Sequence, residues 1–124
     1  DAGIGQRDLG YVNAHGTGTL ANDRAESAAV LEVCGRDAPP VSSTKSMHGH
    51  AFGAAGAIET ALAVAAMDAG IVLPTINLHT PDPECDLDYV PHEARRHPTR
   101  VLLKNGFGAG GVATSLVIRH EASA

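Results

Sequence analysis

The chain has 124 residues, 44% of them hydrophobic but only 3% aromatic and none Trp, with a net charge of −5. That allows one small domain with a shallow core of Ala, Val, Leu and Ile. The acidic balance and the lack of a basic cluster argue against nucleic acid as a main partner. The longest apolar stretch, about 51–66, is Ala- and Gly-rich and interrupted by Glu59, too weak for a membrane span.

So few large side chains lead us to expect an exposed apolar patch meant for another domain or chain. The two cysteines, Cys34 and Cys85, form no C-x-x-C arrangement. Their number fits a reducing compartment, and a cytoplasmic location is expected. No basic region followed by an apolar run opens the chain, so no signal peptide is expected there. The start, Asp1-Ala2-Gly3, lacks Met and reads as the middle of something longer.

The elements follow in chain order. Residues 9–14 read as a short buried strand ending at His15, broken by Gly16 and Gly18. Asn22 or Asp23 is placed to cap a helix, and Asp23 and Glu26 have capping-box spacing. Val30, Val33 and Cys34 are expected on that helix's apolar face, with Gly35 at its end. Pro39-Pro40 forces an extended linker. Residues 41–44 read as a second strand ending at Lys45. A second helix is expected over 53–68, apolar on nearly all faces, as in a helix buried inside a large protein. Gly70 ends it and 71–73 begin an extended stretch. Residues 74–91 read as loop, and Arg95-Arg96 as a solvated turn. Strands are expected at 101–104 and 114–119, joined by an oversized glycine-rich turn. The tail 121–124 is expected to fray. This order suggests a mixed sheet with helices.

Three polar motifs sit at strand ends: Asn13-Ala14-His15-Gly16-Thr17-Gly18-Thr19; Lys45-Ser46-Met47-His48-Gly49-His50 running into Gly53-Ala54-Ala55-Gly56; and Asn105-Gly106-Phe107-Gly108-Ala109-Gly110-Gly111. Two histidines, a lysine and bare backbone are equipment for stabilising a carbonyl oxyanion. The third motif has the spacing G-x-G-x-x-G. A dinucleotide site would need a helix next and an acidic residue about 20 positions on. A strand is expected instead, and the chain ends too soon. A glycine-rich turn between strands is a further reading. His48 and His50 form H-x-H, so a metal site with His15, Cys34 or His79 stands as an alternative, without zinc-finger spacing. Glu59 lies early in an apolar helix, where a buried carboxylate needs a partner. Lys45 is the nearest by chain order. The alternative is a surface Glu.

Taken together and in order, these motifs resemble the C-terminal half of a β-ketoacyl-[acyl carrier protein] synthase, a ketosynthase of the thiolase-like superfamily. Ser43-Thr44-Lys45-Ser46, Pro74-Thr75-Ile76-Asn77-Leu78 and Pro81-Asp82-Pro83-Glu84-Cys85 extend the likeness over nearly the whole chain. The resemblance implies an α/β fold: one half of the layered αβαβα thiolase architecture, a mixed sheet with a buried Ala-rich helix. It implies residues 1–124 as the C-terminal domain, with the N-terminal half and its nucleophilic cysteine lying outside this chain. Neither Cys34 nor Cys85 matches that cysteine.

The activity implied is acyl transfer by decarboxylative Claisen condensation of malonyl on an acyl carrier protein, in fatty acid or polyketide synthesis. By resemblance His15 and His50 hydrogen-bond the malonyl thioester oxygen, with Lys45 and Glu59 as the supporting pair. Phe107, Gly108, Ala109 and Gly110 form the oxyanion loop, with the Ala109 N–H on the acyl thioester. The helix after Gly53 aims its N-terminus at the site. No cofactor and no metal is implied. The partners implied are the acyl carrier protein, the N-terminal half and a second subunit, as homo- or heterodimer. The fragment alone is expected to be inactive.

Three departures stand out. The nucleophile is outside the chain. Ala109 replaces a gating Phe, which predicts a wider acyl entrance. Gly106 and Val112 replace common Ser and Thr. The rival readings are a non-catalytic partner subunit of the chain-length-factor type, and a thiolase-fold enzyme that condenses without malonyl. The presence of His15, Lys45 and His50 argues against the first and the lysine motif against the second.

Overall fold

A computed structural model describes residues 2–121; the rest of the expected frayed tail, and Asp1, lie outside the described residues. The chain runs β1 (Tyr11–Asn13), α1 (Leu20–Cys34), β2 (Val41–Ser42), α2 (Lys45–His48), α3 (Ala55–Asp68), β3 (Ile71–Val72), β4 (Arg95–Arg96), β5 (Val101–Gly108) and β6 (Val112–Arg119). The main sheet has the order β2-β1-β5-β6. β1 lies parallel to both β2 and β5, and β6 runs antiparallel to β5. The mixed sheet expected from the sequence is present.

The inner strands β1 and β5 place apolar side chains on both faces, as strands covered on both sides do. Alternation sends Tyr11 and Leu102 to one face, where they meet Ala63 and Met67 of α3. It sends Val12, Ala14 and Leu103 to the other, against Val30 and Cys34 of α1. Helices on both faces of a sheet make three layers.

Several expectations are corrected. α1 starts at Leu20 with Thr19 in the N-cap position, not at Asn22 or Asp23. The capping box does not form: Glu26 turns inward, while Asp23 takes the Gly18 N–H. The buried face of α1 is Glu26, Val30 and Cys34, and Val33 points to solvent. Thr44-Lys45 winds into the short helix α2, which the sequence reading missed. Arg95-Arg96 is a short strand paired antiparallel with β3, not a turn. β5 and β6 pair along their full lengths, so Gly106 and Gly108 belong to the strand and the turn is the tight Ala109-Gly110-Gly111. The loop over 74–91 is tied down by Tyr89 Oη to Ser27 Oγ at 2.6 Å and by Arg24 to Asp82 at 3.0 Å.

α3 is apolar on nearly all faces, as expected, but within this chain it is covered on one side only. Ala55, Glu59, Ala63 and Ala66 face inward, while Ile58 and Leu62 are more than a third exposed. Leu20, Phe52, Val112 and Leu116 are exposed as well. This is the uncovered apolar surface expected from composition. Residues 1–124 alone should therefore bind a hydrophobic dye and melt without a sharp transition. A cooperative, high-melting monomer in a thermal scan would contradict that expectation.

Candidate active site

One carboxylate organises the loop after β1. Glu26, buried near the start of α1, accepts the His15 N–H at Oε1 and the Gly16 N–H at Oε2, each at 2.9 Å. Asn105 Nδ2 donates to Oε1 at 3.1 Å and Asn22 Nδ2 to Oε2 at 3.4 Å. A buried anion is tolerated when its oxygens are filled by donors in this way. Gly16 lets the loop touch the end of β2. Its φ is +41°, and a Cβ there would fall 2.5 Å from Ser43 Cβ.

α2 brings in Lys45. Its Nζ lies 2.6 Å from Glu59 Oε1, donates to the His15 carbonyl at 2.6 Å and reaches His15 Nδ1 at 3.4 Å. An ammonium has only hydrogens to give, so Nδ1 accepts and the His15 proton sits on Nε2. His50 reaches the same tautomer by another route. The Phe52 N–H donates to its Nδ1 at 3.1 Å, and the Phe52 ring stacks on it at 4.7 Å between centroids. The two imidazoles meet edge to face at 5.6 Å, and Phe107 packs on His15 at 5.2 Å.

Behind them, Glu59 is held twice: Lys45 Nζ on Oε1 and Lys104 Nζ at 2.7 Å on Oε2. All three groups are buried. Lys104 also donates to the Asn105 carbonyl. Burial by itself raises the Glu59 carboxyl pKa, but its contacts with Lys104 and Lys45 outweigh that and hold it below the ordinary range. Burial first, with the neighbouring Lys45 charge, pulls the Lys104 ammonium down against the upward pull of Glu59 and Glu26. His15 is lowered first by burial and then by the Lys45 and Lys104 charges, against the upward pull of Glu26 and Glu59. The net shift favours the neutral ring, the form in which Nδ1 accepts while Nε2 donates.

His15, His50, Glu59, Lys104, Phe107 and Gly108 border one cavity of about 210 Å³, and Ala55 and Gly56 bring the N-terminus of α3 to it. That end of a helix favours negative charge. Of the residues expected from sequence, His15, His50, Glu59, Phe107 and Gly108 meet here. Lys45 stands behind His15 and borders a larger apolar cavity of about 480 Å³ beside the loop over 74–91. Ala109 and Gly110 form the hairpin turn and do not line either cavity.

The H-x-H histidines serve different neighbours. His48 Nε2 lies 3.3 Å from Thr44 Oγ1, while His50 faces His15 and Phe52. Cys34 is buried, and burial pushes its thiol pKa up, the wrong direction for a nucleophile.

Two residues were missed. Glu26 shares the i, i+4, i+8 stripe with Val30 and Cys34, a legible signal that the capping-box reading overrode. Lys104 sits two residues after Leu102, on the same strand face, and alternation could have marked it as inward.

Replacing Glu26 with Leu would leave the buried His15 N–H and the half-buried Gly16 N–H without their acceptor. We expect a loss of about 3 kcal/mol in the unfolding free energy of the intact protein. A urea-denaturation difference well under about 1 kcal/mol would show that the loop is held by something else.

The chain matches the family model for the β-ketoacyl synthase C-terminal domain over residues 1–79. It is 49% identical over 122 residues to nodulation protein E of Rhizobium sp. (strain N33), covering 97% of this chain and 30% of that protein. Among solved structures it is similar to a type II PKS ketosynthase described with its acyl-carrier protein and bound to the hexaketide, AntDE:AntF. The TM-score there is 0.95 at 40% identity, covering 98% of this chain and 30% of that one. It is also similar to the ishigamide ketosynthase/chain length factor, with a TM-score of 0.94 at 38% identity over 98% of this chain and 30% of that one. The chain thus spans under a third of the length of these relatives. These likenesses place the sheet and helices described above in the ketosynthase fold, and the chain belongs to the β-ketoacyl synthase family, matching its C-terminal domain.

Proposed function

We propose that residues 1–124 are the C-terminal domain of a longer ketosynthase and supply its decarboxylating machinery. The observation that carries this reading is the pair of imidazoles whose Nδ1 atoms are both engaged by protein donors, Lys45 Nζ on His15 and the Phe52 N–H on His50. Each ring then has Nε2–H to offer, and the rings meet at one cavity.

A malonyl thioester placed there would direct its carbonyl oxygen at both donors. As the bond between the α-carbon and the carboxylate breaks, its electron pair enters the thioester to form an enolate and carbon dioxide leaves. The oxyanion is met by two preset donors and the N-terminus of α3. The enolate carbon then attacks an acyl thioester on a cysteine of the N-terminal half. A new carbon–carbon bond forms, the cysteine thiolate departs and a β-ketoacyl thioester remains. We assign the backbone of the Ala109-Gly110 turn, next to Gly108, to the oxygen of that acyl thioester. The partners of this reading are an acyl carrier protein and a second subunit, identical or of the chain-length-factor type. Relatives named as polyketide ketosynthases favour the polyketide pathway over fatty acid synthesis, and the small Ala109, which lines neither cavity here, is assigned to the acyl entrance that the N-terminal half would complete.

Two experiments on the intact protein test this. His15→Ala and His50→Ala should each slow decarboxylation of malonyl-ACP by roughly 10²–10³-fold, the usual cost of one oxyanion donor. Wild-type rates in both variants would remove the histidines from the reaction, and a wild type without decarboxylation would point to a non-catalytic partner subunit. Ala109→Phe should slow transfer from bulky acyl donors relative to short ones, and unchanged selectivity would remove Ala109 from the entrance.

A further inference from the structure

Lys104 plays no part in the scheme above, yet it borders the same cavity as both histidines with its side chain 4% exposed. β5 carries it inward on the Leu102 face, on the strand that continues into Phe107. A position that only needed filling would suit an apolar side chain. A buried ammonium is costly unless matched. One ammonium matches one carboxylate, and Glu59 has two. With all three ionised, Lys45 answers Glu59 and the second ammonium, Lys104, stands against the nearby Glu26 carboxylate. The division of labour is also plain. The three hydrogens of Lys45 Nζ have three neighbours: Glu59 Oε1, the His15 carbonyl and His15 Nδ1.

We propose that Lys104 is a positioning residue for anion stabilisation in this cavity: it takes the second oxygen of Glu59, leaves Lys45 to orient His15, and places a positive charge behind His15 against the carboxylates of Glu59 and Glu26. The proposal rests on the condensing function above and names a residue that function did not use.

The groups around His15 come from every neighbouring element: Glu26 from α1, Lys45 from α2, Glu59 from α3, Lys104 from β5 and His50 ahead of α3. Burial lowers its pKa most, the two lysines lower it further, and the two carboxylates oppose them. Removing the Lys104 charge therefore raises the His15 pKa. The neutral donor is then lost at a higher pH as the solution is acidified.

The test uses the intact enzyme with Lys104→Gln, which keeps a donor, and Lys104→Arg, which keeps the charge. Lys104→Gln leaves Lys45 and Glu59 matched one to one, so no buried carboxylate is orphaned. His15 is followed by ring NMR through a pH titration, and malonyl-ACP decarboxylation is followed over the same range. We expect Lys104→Gln to move both the His15 titration and the acid limb of kcat to higher pH with KM little changed. Lys104→Arg should hold both near their wild-type positions. A wild-type titration in Lys104→Gln, or equal displacement in both variants, overturns the proposal. Absence of decarboxylation in the wild type sinks the condensing function separately, since the His15 titration still reads the charge.

Discussion

A carboxylate shared between two buried lysines holds this site together. Glu59 lies on α3, Lys45 on α2 and Lys104 on β5, so a single charged cluster ties three elements together. Such a cluster contributes less to stability than to geometry, because desolvating three charges cancels much of their attraction. What it secures is the position of Lys45 Nζ, and through it the tautomer of His15.

The second constraint is topological. β1, β2 and β5 are parallel, so the segments that follow them emerge at the same edge of the sheet. His15 follows β1, Lys45 follows β2 and Phe107-Gly108 close β5. Residues up to 93 positions apart in the chain, His15 and Gly108, become neighbours because three strands point the same way. The carboxyl ends of parallel strands are where α/β proteins gather their chemistry. The long β5–β6 hairpin brings Phe107 over His15 while its turn extends beyond the cavity.

The two faces of the sheet differ in what they ask of the chain. On the α1 face, Val12, Val30 and Val41 make a small closed core, with Tyr89 and Leu87 of the long loop as its lid. On the α3 face the core is equally small, and the outer side of α3 is left with Ile58 and Leu62 exposed. An Ala-rich helix allows close approach from both sides. Within this chain, only one side is used.

Much was legible from residues alone. Alternation and glycine breaks located β1, β2 and the final hairpin, and the unlikely Glu59 in an apolar helix pointed to its pairing with Lys45. The motif order pointed to the family. Tertiary structure decided the rest, because it depended on partners distant in sequence. Glu26 looked like a local cap, but its oxygens are claimed by the His15 and Gly16 amides and by Asn105 of β5. Arg95-Arg96 looked like a solvated turn, but β3 supplied the hydrogen bonds that make it a strand. Lys104 was legible only as the end of a strand, and the approach of α3 gave it Glu59. Local chemistry is written in spacing, so the sequence determined which groups exist and which strands they follow. Which charge meets which carboxylate is set by packing across the sheet, and that only the fold decided.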